Sequence, residues 1–128
     1  MLYEGGRPGY VGLAHSADGI RWERDKHNPV ITTKDAKPWE KNAIVPQSIA
    51  RQGTTWHLFY HANNGSWQTG VAGVASSEDL IHWTRYESKP ILRDKSAMVL
   101  EIDDRYIMYA QQGPTGETVN RYTLKKPE

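Results

Sequence analysis

The chain has 128 residues, the length of one small domain or of part of a larger one. It contains no cysteine, which excludes a disulfide scaffold, a thiol nucleophile and a cysteine-ligated zinc site. A net charge of +1 and the lack of a long basic run argue against nucleic-acid binding. No apolar stretch reaches the roughly 20 residues of a membrane-spanning helix. Because no signal peptide and no cysteine is seen, a cytoplasmic location is favoured.

Short runs of aromatic and β-branched residues, separated by Gly, Pro, Asp and Asn, predict strands joined by turns. No window of about twelve residues keeps a helical period without an interrupting Gly or Pro. In chain order, the clearest predicted strands are 44–51, 56–60, 71–75, 97–102, 105–110 and 119–124. The sequence therefore predicts a nearly all-β protein.

An internal repeat has an offset of 61 residues along the chain. Residues 11–31 read VGLAHSADGIRWERDKHNPVI, and residues 72–92 read AGVASSEDLIHWTRYESKPIL. Eight of the 21 positions are identical, and they fall at a turn and at positions of buried type. Such a pattern indicates a repeated structural unit.

Each unit predicts four antiparallel strands in about 50–60 residues, which is the blade of a β-propeller. With the strands of a blade named A to D from the inside outwards, the chain reads B-C-D, A-B-C-D, A-B-C. We expect residues 1–128 to form a single partial β-propeller domain, with blades at about 1–30, 41–88 and 95–126. Propellers usually close with four or more blades. We therefore expect a homo-oligomer or a partner chain to complete the ring, a truncated fragment being the remaining alternative.

The segments VGLAHSADGIRWER and NPVI, followed by GVASSEDLIHWTRYESKPIL, resemble the five-bladed β-propeller glycosidases, the arabinanase, levansucrase and invertase superfamily. The turn at residues 16–22 is also similar to the sialidase Asp-box, although it is one residue shorter. The first resemblance implies a glycoside hydrolase-like protein that acts on or binds carbohydrate. The alternative is a non-catalytic, oligomerising half-propeller that binds carbohydrate or serves as a scaffold. No cofactor motif is present, and the five histidines lack metal-ligand spacing.

The family that the chain resembles uses three acids on the innermost strands of successive blades. Glycoside hydrolysis itself requires a pair of carboxyl groups. The first acid would lie in a strand before this chain, and the segment VPQSI at residues 45–49 offers none at the second position. At the third, Asp94 precedes the strand and Glu101 lies within it, where it alternatively belongs to the hairpin on the far face. With Glu4, which follows strand B of the first blade, these are the catalytic candidates.

In the glycosidases that the chain resembles, the substrate pocket lies on the face of the B–C and D–A loops. Polar groups on that face suit sugar hydroxyls, and aromatic rings suit the apolar face of a sugar. The candidate substrate-binding residues are His61, Asn63, Trp67, Trp39, Arg7 and Asn42. On the opposite face, Asp18 and Asp79 are expected to bond backbone N–H groups in turns. Trp22 and Trp83 are expected to pack between blades.

Overall fold

The computed structural model describes residues 1–6, 9–65, 70–86, 89–103, 105–112 and 118–124. In these ranges the chain forms ten β-strands and one 3₁₀ turn, Pro38–Glu40. The strands are β1 (Leu2–Gly5), β2 (Tyr10–His15), β3 (Glu23–Arg24), β4 (Ala43–Gln52), β5 (Thr55–Asn63), β6 (Val71–Ser77), β7 (Thr84–Arg85), β8 (Lys95–Ile102), β9 (Arg105–Gln112) and β10 (Thr118–Leu124). Within the described ranges, no helix has the length and apolar character needed to cross a membrane.

The strands form three antiparallel sheets, which are the three blades. Blade 1 has the order β1-β2-β3, blade 2 the order β4-β5-β6-β7, and blade 3 the order β8-β9-β10. Each sheet is a meander in which neighbours in the chain are neighbours in space. This is the predicted succession B-C-D, A-B-C-D, A-B-C. The prediction of an all-β partial propeller with antiparallel blades is confirmed.

The repeat seen in the sequence is also a repeat of backbone contacts. Val11 N donates to Ile31 O at 2.9 Å, and 61 residues later Ala72 N donates to Leu92 O at 3.1 Å. In both copies the segment that leaves the blade bonds back to strand C before it crosses to the next blade. The repeated Pro at positions 29 and 90 lies in this returning segment.

The hydrophobic core is divided between the two blade interfaces. On β5, Tyr60 packs towards blade 1 and Phe59 towards blade 3, because successive residues of a strand point to opposite faces. The core between blades 1 and 2 contains Val11, Ile31, Ile44, Leu58, Tyr60, Ala62 and Ala75. The core between blades 2 and 3 contains Ala72, Ala97, Val99 and Met108.

A hydroxyl joins the inner strands of blades 2 and 3. The Ser48 O–H on β4 donates to Ala97 O at 3.1 Å, and the same oxygen accepts from Val99 N at 2.9 Å. Because one side chain bonds two backbone groups of β8, it fixes the position of one inner strand against the other. Side chains that β4 and β8 direct towards the propeller axis are therefore held in a fixed arrangement relative to one another.

Candidate functional site

A cavity of about 320 Å³ lies at the end of the blades where β4 and β8 begin and β1 and β5 end. Its lining residues are Glu4, Val45, Gln47, His61, Lys95 and Ser96. The D–A and B–C connections lie at this end of the blades, which is the face predicted to hold substrate. We call this space the axial cavity, and it is the candidate functional site.

Two β-bulges shape the axial cavity. The pairing of β4 with β5 shifts between Pro46 and Ser48, and the pairing of β8 with β9 shifts between Lys95 and Ala97. The extra residues, Gln47 and Ser96, both line the cavity. A bulge bends a strand and redirects a side chain. The inner strands of blades 2 and 3 thus each present a polar group that a regular ladder would place differently.

His61 is the most buried polar residue of the cavity lining, at 5% exposure. Burial lowers the pKa of its imidazole, and the positive charge of Lys95 lowers that pKa further. The ring is therefore neutral at pH 7, with one nitrogen that donates and one that accepts. Gly70 makes this packing possible, since a Cβ there would lie 1.8 Å from the His61 Cε1 atom. A neutral imidazole beside an ammonium group is suited to bind hydroxyl groups and anionic oxygens.

Glu4 supplies the single carboxylate among the described residues that line the axial cavity. It lies near the end of β1, opposite Val11, and its side chain is exposed. Hydrolysis of a glycosidic bond requires two carboxyl groups that flank the bond. The described part of the cavity therefore has binding groups and one of the two acids.

The other two catalytic candidates are not among the lining residues of the axial cavity. Asp94 is 6% exposed and accepts hydrogen bonds from the Tyr122 hydroxyl at 2.7 Å and from Asn120 Nδ2 at 3.2 Å. Both donors are on β10, so the carboxylate is held by the outer part of blade 3. Glu101 is exposed near the far end of β8, roughly 20 Å along the strand from Lys95 at the usual rise per residue. Neither carboxylate lines the axial cavity with Glu4, and the catalytic roles of both stay predictions.

Two substrate-binding candidates hold a loop together at the edge of the site. Asn63 is fully buried at the end of β5, and its Oδ1 accepts from Asn42 Nδ2 at 2.9 Å and from Gly65 N at 3.1 Å. Asn42 N also donates to the Asn63 carbonyl at 3.0 Å. These bonds join the start of β4 to the end of β5. Arg7 and Trp67 lie outside the described residues.

Trp39 is packed against the blade rather than presented as an open platform. Its ring is stacked on Tyr60, with centroids 6.2 Å apart and planes inclined by 4°. Both rings lie over Gly73, where a Cβ would be 2.4 Å from Tyr60 Cζ and 2.7 Å from Trp39 Cη2. The half-buried indole therefore belongs to the core between blades 1 and 2.

Beside Trp39, a buried carboxylate anchors the crossover loop from blade 1 to blade 2. Glu40 has no exposed surface, and its Oε2 lies 3.2 Å from Arg85 Nε on β7. Burial raises the pKa of Glu40, and the nearby guanidinium opposes that rise. Burial also raises the pKa of Tyr60, and the negative charge of Glu40 adds to it. Arg85 further donates from Nη1 to Asp35 O at 2.9 Å and from Nη2 to Thr32 O.

The repeated Asp residues of the opposite face form turns, as predicted. Asp18 Oδ1 accepts from Ile20 N and Arg21 N, both at 2.8 Å. Asp79 Oδ1 accepts the equivalent bonds from Ile81 N at 2.9 Å and from His82 N at 2.8 Å. These backbone bonds lower the pKa of Asp18. The pKa of Asp79 is lowered by a side-chain hydrogen bond with His82 and then by its backbone bonds. Across the described ranges, no cluster of three or more His, Cys, Asp or Glu side chains is arranged to hold a metal ion.

Sequence reasoning did not identify Gln47, Lys95 and Ser96 as members of the site. All three lie within the inner strands β4 and β8, whereas most of the predicted binding residues lie in or beside loops. Pro46 carried a usable signal, because a proline inside a strand marks an edge or a bulge. No comparable signal precedes Ser96, whose backbone has a φ of +43°.

No protein-family model matches the chain. Among curated proteins, it is similar to the β-1,2-mannobiose phosphorylase of Thermoanaerobacter sp. (strain X514), with 26% identity over 110 residues. That match covers 70% of this chain and 36% of the phosphorylase. The chain thus spans about a third of the length of this relative.

The solved structures that resemble the chain include five-bladed β-propeller glycoside hydrolases of families GH32 and GH43. A GH43 β-xylosidase/α-arabinofuranosidase from a compost microbial metagenome aligns with a TM-score of 0.59 and 25% identity, over 84% of this chain and 32% of the enzyme. The GH32 β-fructofuranosidase of Bombyx mori aligns with a TM-score of 0.60 and 19% identity, over 88% and 26% of the two chains. The resemblance to glycosidase propellers that the sequence predicted is confirmed, and it extends over most of this chain.

Proposed function

We propose that this chain binds carbohydrate in the axial cavity, as part of a glycoside hydrolase-like propeller that another polypeptide completes. The observation that carries the proposal is the convergence of Gln47, His61, Lys95 and Ser96 with Glu4 at the axial ends of three blades. Amide, imidazole, hydroxyl and carboxylate groups together offer both donors and acceptors, which the hydroxyl groups of a sugar require.

The kinship of the fold supports the same substrate class. The similar proteins are named as a mannobiose phosphorylase, a β-xylosidase/α-arabinofuranosidase and a β-fructofuranosidase. All three names specify glycosides, although the sugars differ. We therefore extend to this chain the class of substrate and not a particular sugar.

The number of carboxylates limits the chemistry that the described part of the axial cavity performs alone. One carboxylate, Glu4, lines the described cavity, and hydrolysis requires a second within about 5–10 Å. In the proposed function, the completing polypeptide supplies that second group. The described residues of the cavity by themselves then bind sugar without cleaving it.

Binding of β-1,2-mannobiose, sucrose and xylotriose to the intact chain, measured by calorimetry, tests the proposal. We expect at least one sugar to bind saturably and Glu4→Gln or His61→Asn to weaken that binding at least tenfold. Glu78→Gln, on the opposite face in the turn after β6, is the matched control and should bind as the wild type does. Absence of binding to all three sugars by the folded protein contradicts the proposal and favours a scaffold role.

Phosphorolysis is a second candidate reaction for the completed propeller. Lys95 and neutral His61 offer an anion site beside a single carboxylate, and the curated relative is a phosphorylase. In that reaction phosphate replaces water and attacks the sugar, while one acid protonates the leaving oxygen, so only one carboxyl group is needed. Inorganic phosphate should then bind to the wild type and at least tenfold more weakly to Lys95→Gln. Equal phosphate affinity in the two proteins would exclude this candidate.

A further inference from the structure

Blades 1 and 2 carry the same set of four residues on one side. In blade 2 this is the side that packs against blade 1. We call these surfaces the blade 1 socket and the blade 2 socket. The blade 1 socket consists of Tyr3, Gly12, Trp22 and Arg24, and the blade 2 socket consists of Tyr60, Gly73, Trp83 and Arg85. The last three members of the two sockets are related by the 61-residue repeat.

The two sockets are built in the same way. Tyr3 is the register partner of Gly12, and Tyr60 is the register partner of Gly73. In both pairs the tyrosine ring lies across the glycine, where a Cβ would be 2.4 Å from the tyrosine Cζ. The arginine of each socket lies on strand D, opposite an alanine of strand C. Both sockets therefore offer an aromatic ring and a guanidinium on one face.

The blade 2 socket is filled by the loop that crosses from blade 1. Trp39 stacks on Tyr60, Glu40 pairs with Arg85, and Arg85 also bonds the carbonyl groups of Thr32 and Asp35. In this turn an indole is followed directly by a carboxylate, so that the indole covers the tyrosine ring of the socket and the carboxylate pairs with its arginine. The neighbouring Trp83 packs against the same core.

The blade 1 socket has no such occupant among the described residues. Trp22 is 43% exposed, and Arg24 is exposed with its guanidinium carbon 5.9 Å from the centre of the Tyr3 ring. The ion pairs found between described residues do not include Arg24. An aromatic surface and a cation that are covered in one blade are therefore accessible in the other.

We propose that the blade 1 socket binds a partner polypeptide through a turn that presents an indole followed directly by a carboxylate. The carboxylate would pair with Arg24, and the indole would cover Tyr3, as Glu40 and Trp39 do at the equivalent positions of blade 2. A second copy of this chain fits less well, because its own Trp39–Glu40 turn is already bound to its own blade 2. The inference rests on the proposed completion of the ring and identifies the chemistry of the partner.

A fluorescein-labelled peptide with the sequence of residues 30–42 is the probe, and its binding to the full chain is followed by anisotropy. We expect saturable binding to the wild type and at least tenfold weaker binding to Arg24→Gln. Peptides that carry Trp39→Ala or Glu40→Gln should bind at least tenfold more weakly than the parent peptide. Arg121→Gln removes an exposed arginine from blade 3 and should leave peptide binding unchanged.

Three outcomes overturn the proposal. Lack of peptide binding, or equal binding to the wild type and Arg24→Gln, shows that the blade 1 socket does not recognise the turn. A dimer that Arg24→Gln converts to a monomer, with no effect of the peptide, identifies a second copy as the occupant. Failure of the carbohydrate proposal is seen separately, because Glu4 and Tyr3 point to opposite faces of β1.

Discussion

Blades 1 and 2 share repeated residues at equivalent backbone positions, yet those side chains lie in different surroundings. The indole N–H of Trp22 donates to Gly19 O at 3.1 Å, and that of Trp83 donates to Leu80 O at 2.9 Å. Trp22 is nevertheless 43% exposed, whereas Trp83 packs against the core between the blades. The local sequence thus determines the turn and the orientation of the ring. The loop that crosses over from the preceding blade determines how far the indole ring is buried.

The same difference governs the electrostatics of the two sockets. Arg85 faces a carboxylate without exposed surface, and a buried ion pair is strongly destabilised when one partner is removed. Arg24 faces solvent and the Tyr3 ring, where a charge contributes little to stability. Two arginines at identical repeat positions should therefore differ widely in their importance for folding.

Replacing the two arginines in turn gives the largest expected contrast. Arg85→Gln should lower the free energy of unfolding by about 3–5 kcal/mol, because it leaves the Glu40 carboxylate buried without its cation. Arg24→Gln should change it by no more than about 0.5 kcal/mol, as is usual for exposed positions. Urea unfolding followed by circular dichroism measures both values.

A double variant separates the charge effect from the loss of packing. Glu40→Gln together with Arg85→Gln removes both members of the pair, so it should recover part of the stability that Arg85→Gln alone loses. Equal destabilisation by Arg24→Gln and Arg85→Gln would contradict the distinction between a filled and an open socket.

The two tryptophans provide a smaller contrast, and one of them corrects an expectation from the sequence. Trp83→Ala should cost about 2–3 kcal/mol, somewhat less than a fully buried aromatic residue. The expectation that Trp22 packs between blades is wrong within the described residues, since 43% of its surface is exposed. Trp22→Ala should accordingly cost less than about 1 kcal/mol. A loss at Trp22 that matches the loss at Trp83 in chemical unfolding would show that the exposed indole is covered in solution.

The strand order could be predicted because the residues that specify it recur periodically and act within their own blade. Gly, Asp and Trp recur at fixed positions of the repeat, and each has a role within its own blade, as the Asp18 and Asp79 turns show. The residues of the candidate site were harder to predict, because their positions depend on contacts between blades and not on the repeat. A bulge in β8 places Lys95 and Ser96 in the lining of the axial cavity. Trp39 is stacked on Tyr60 and does not lie on the predicted binding face. Such placements follow from the packing of neighbouring sheets.

The smallest expected effect concerns the equivalent positions Glu4 and His61, which pair with Val11 and Ala72 in the two blades. Burial and Lys95 lower the pKa of His61 below 6.5, so the unfolded chain binds this proton more readily than the native protein. The contribution of His61 to stability is therefore complete above about pH 6.5 and declines as the pH falls below it. Because its pKa is raised, Glu40 makes the free energy of unfolding change with pH in the opposite direction. This contribution is the same in the wild type and in both variants. His61→Gln should lose less stability than the wild type between about pH 7.5 and 5.5 in urea unfolding, while Glu4→Gln should follow the wild type. If His61→Gln retains the full wild-type dependence, the imidazole is not the buried neutral group of the axial cavity, and its proposed contact with sugar loses its basis.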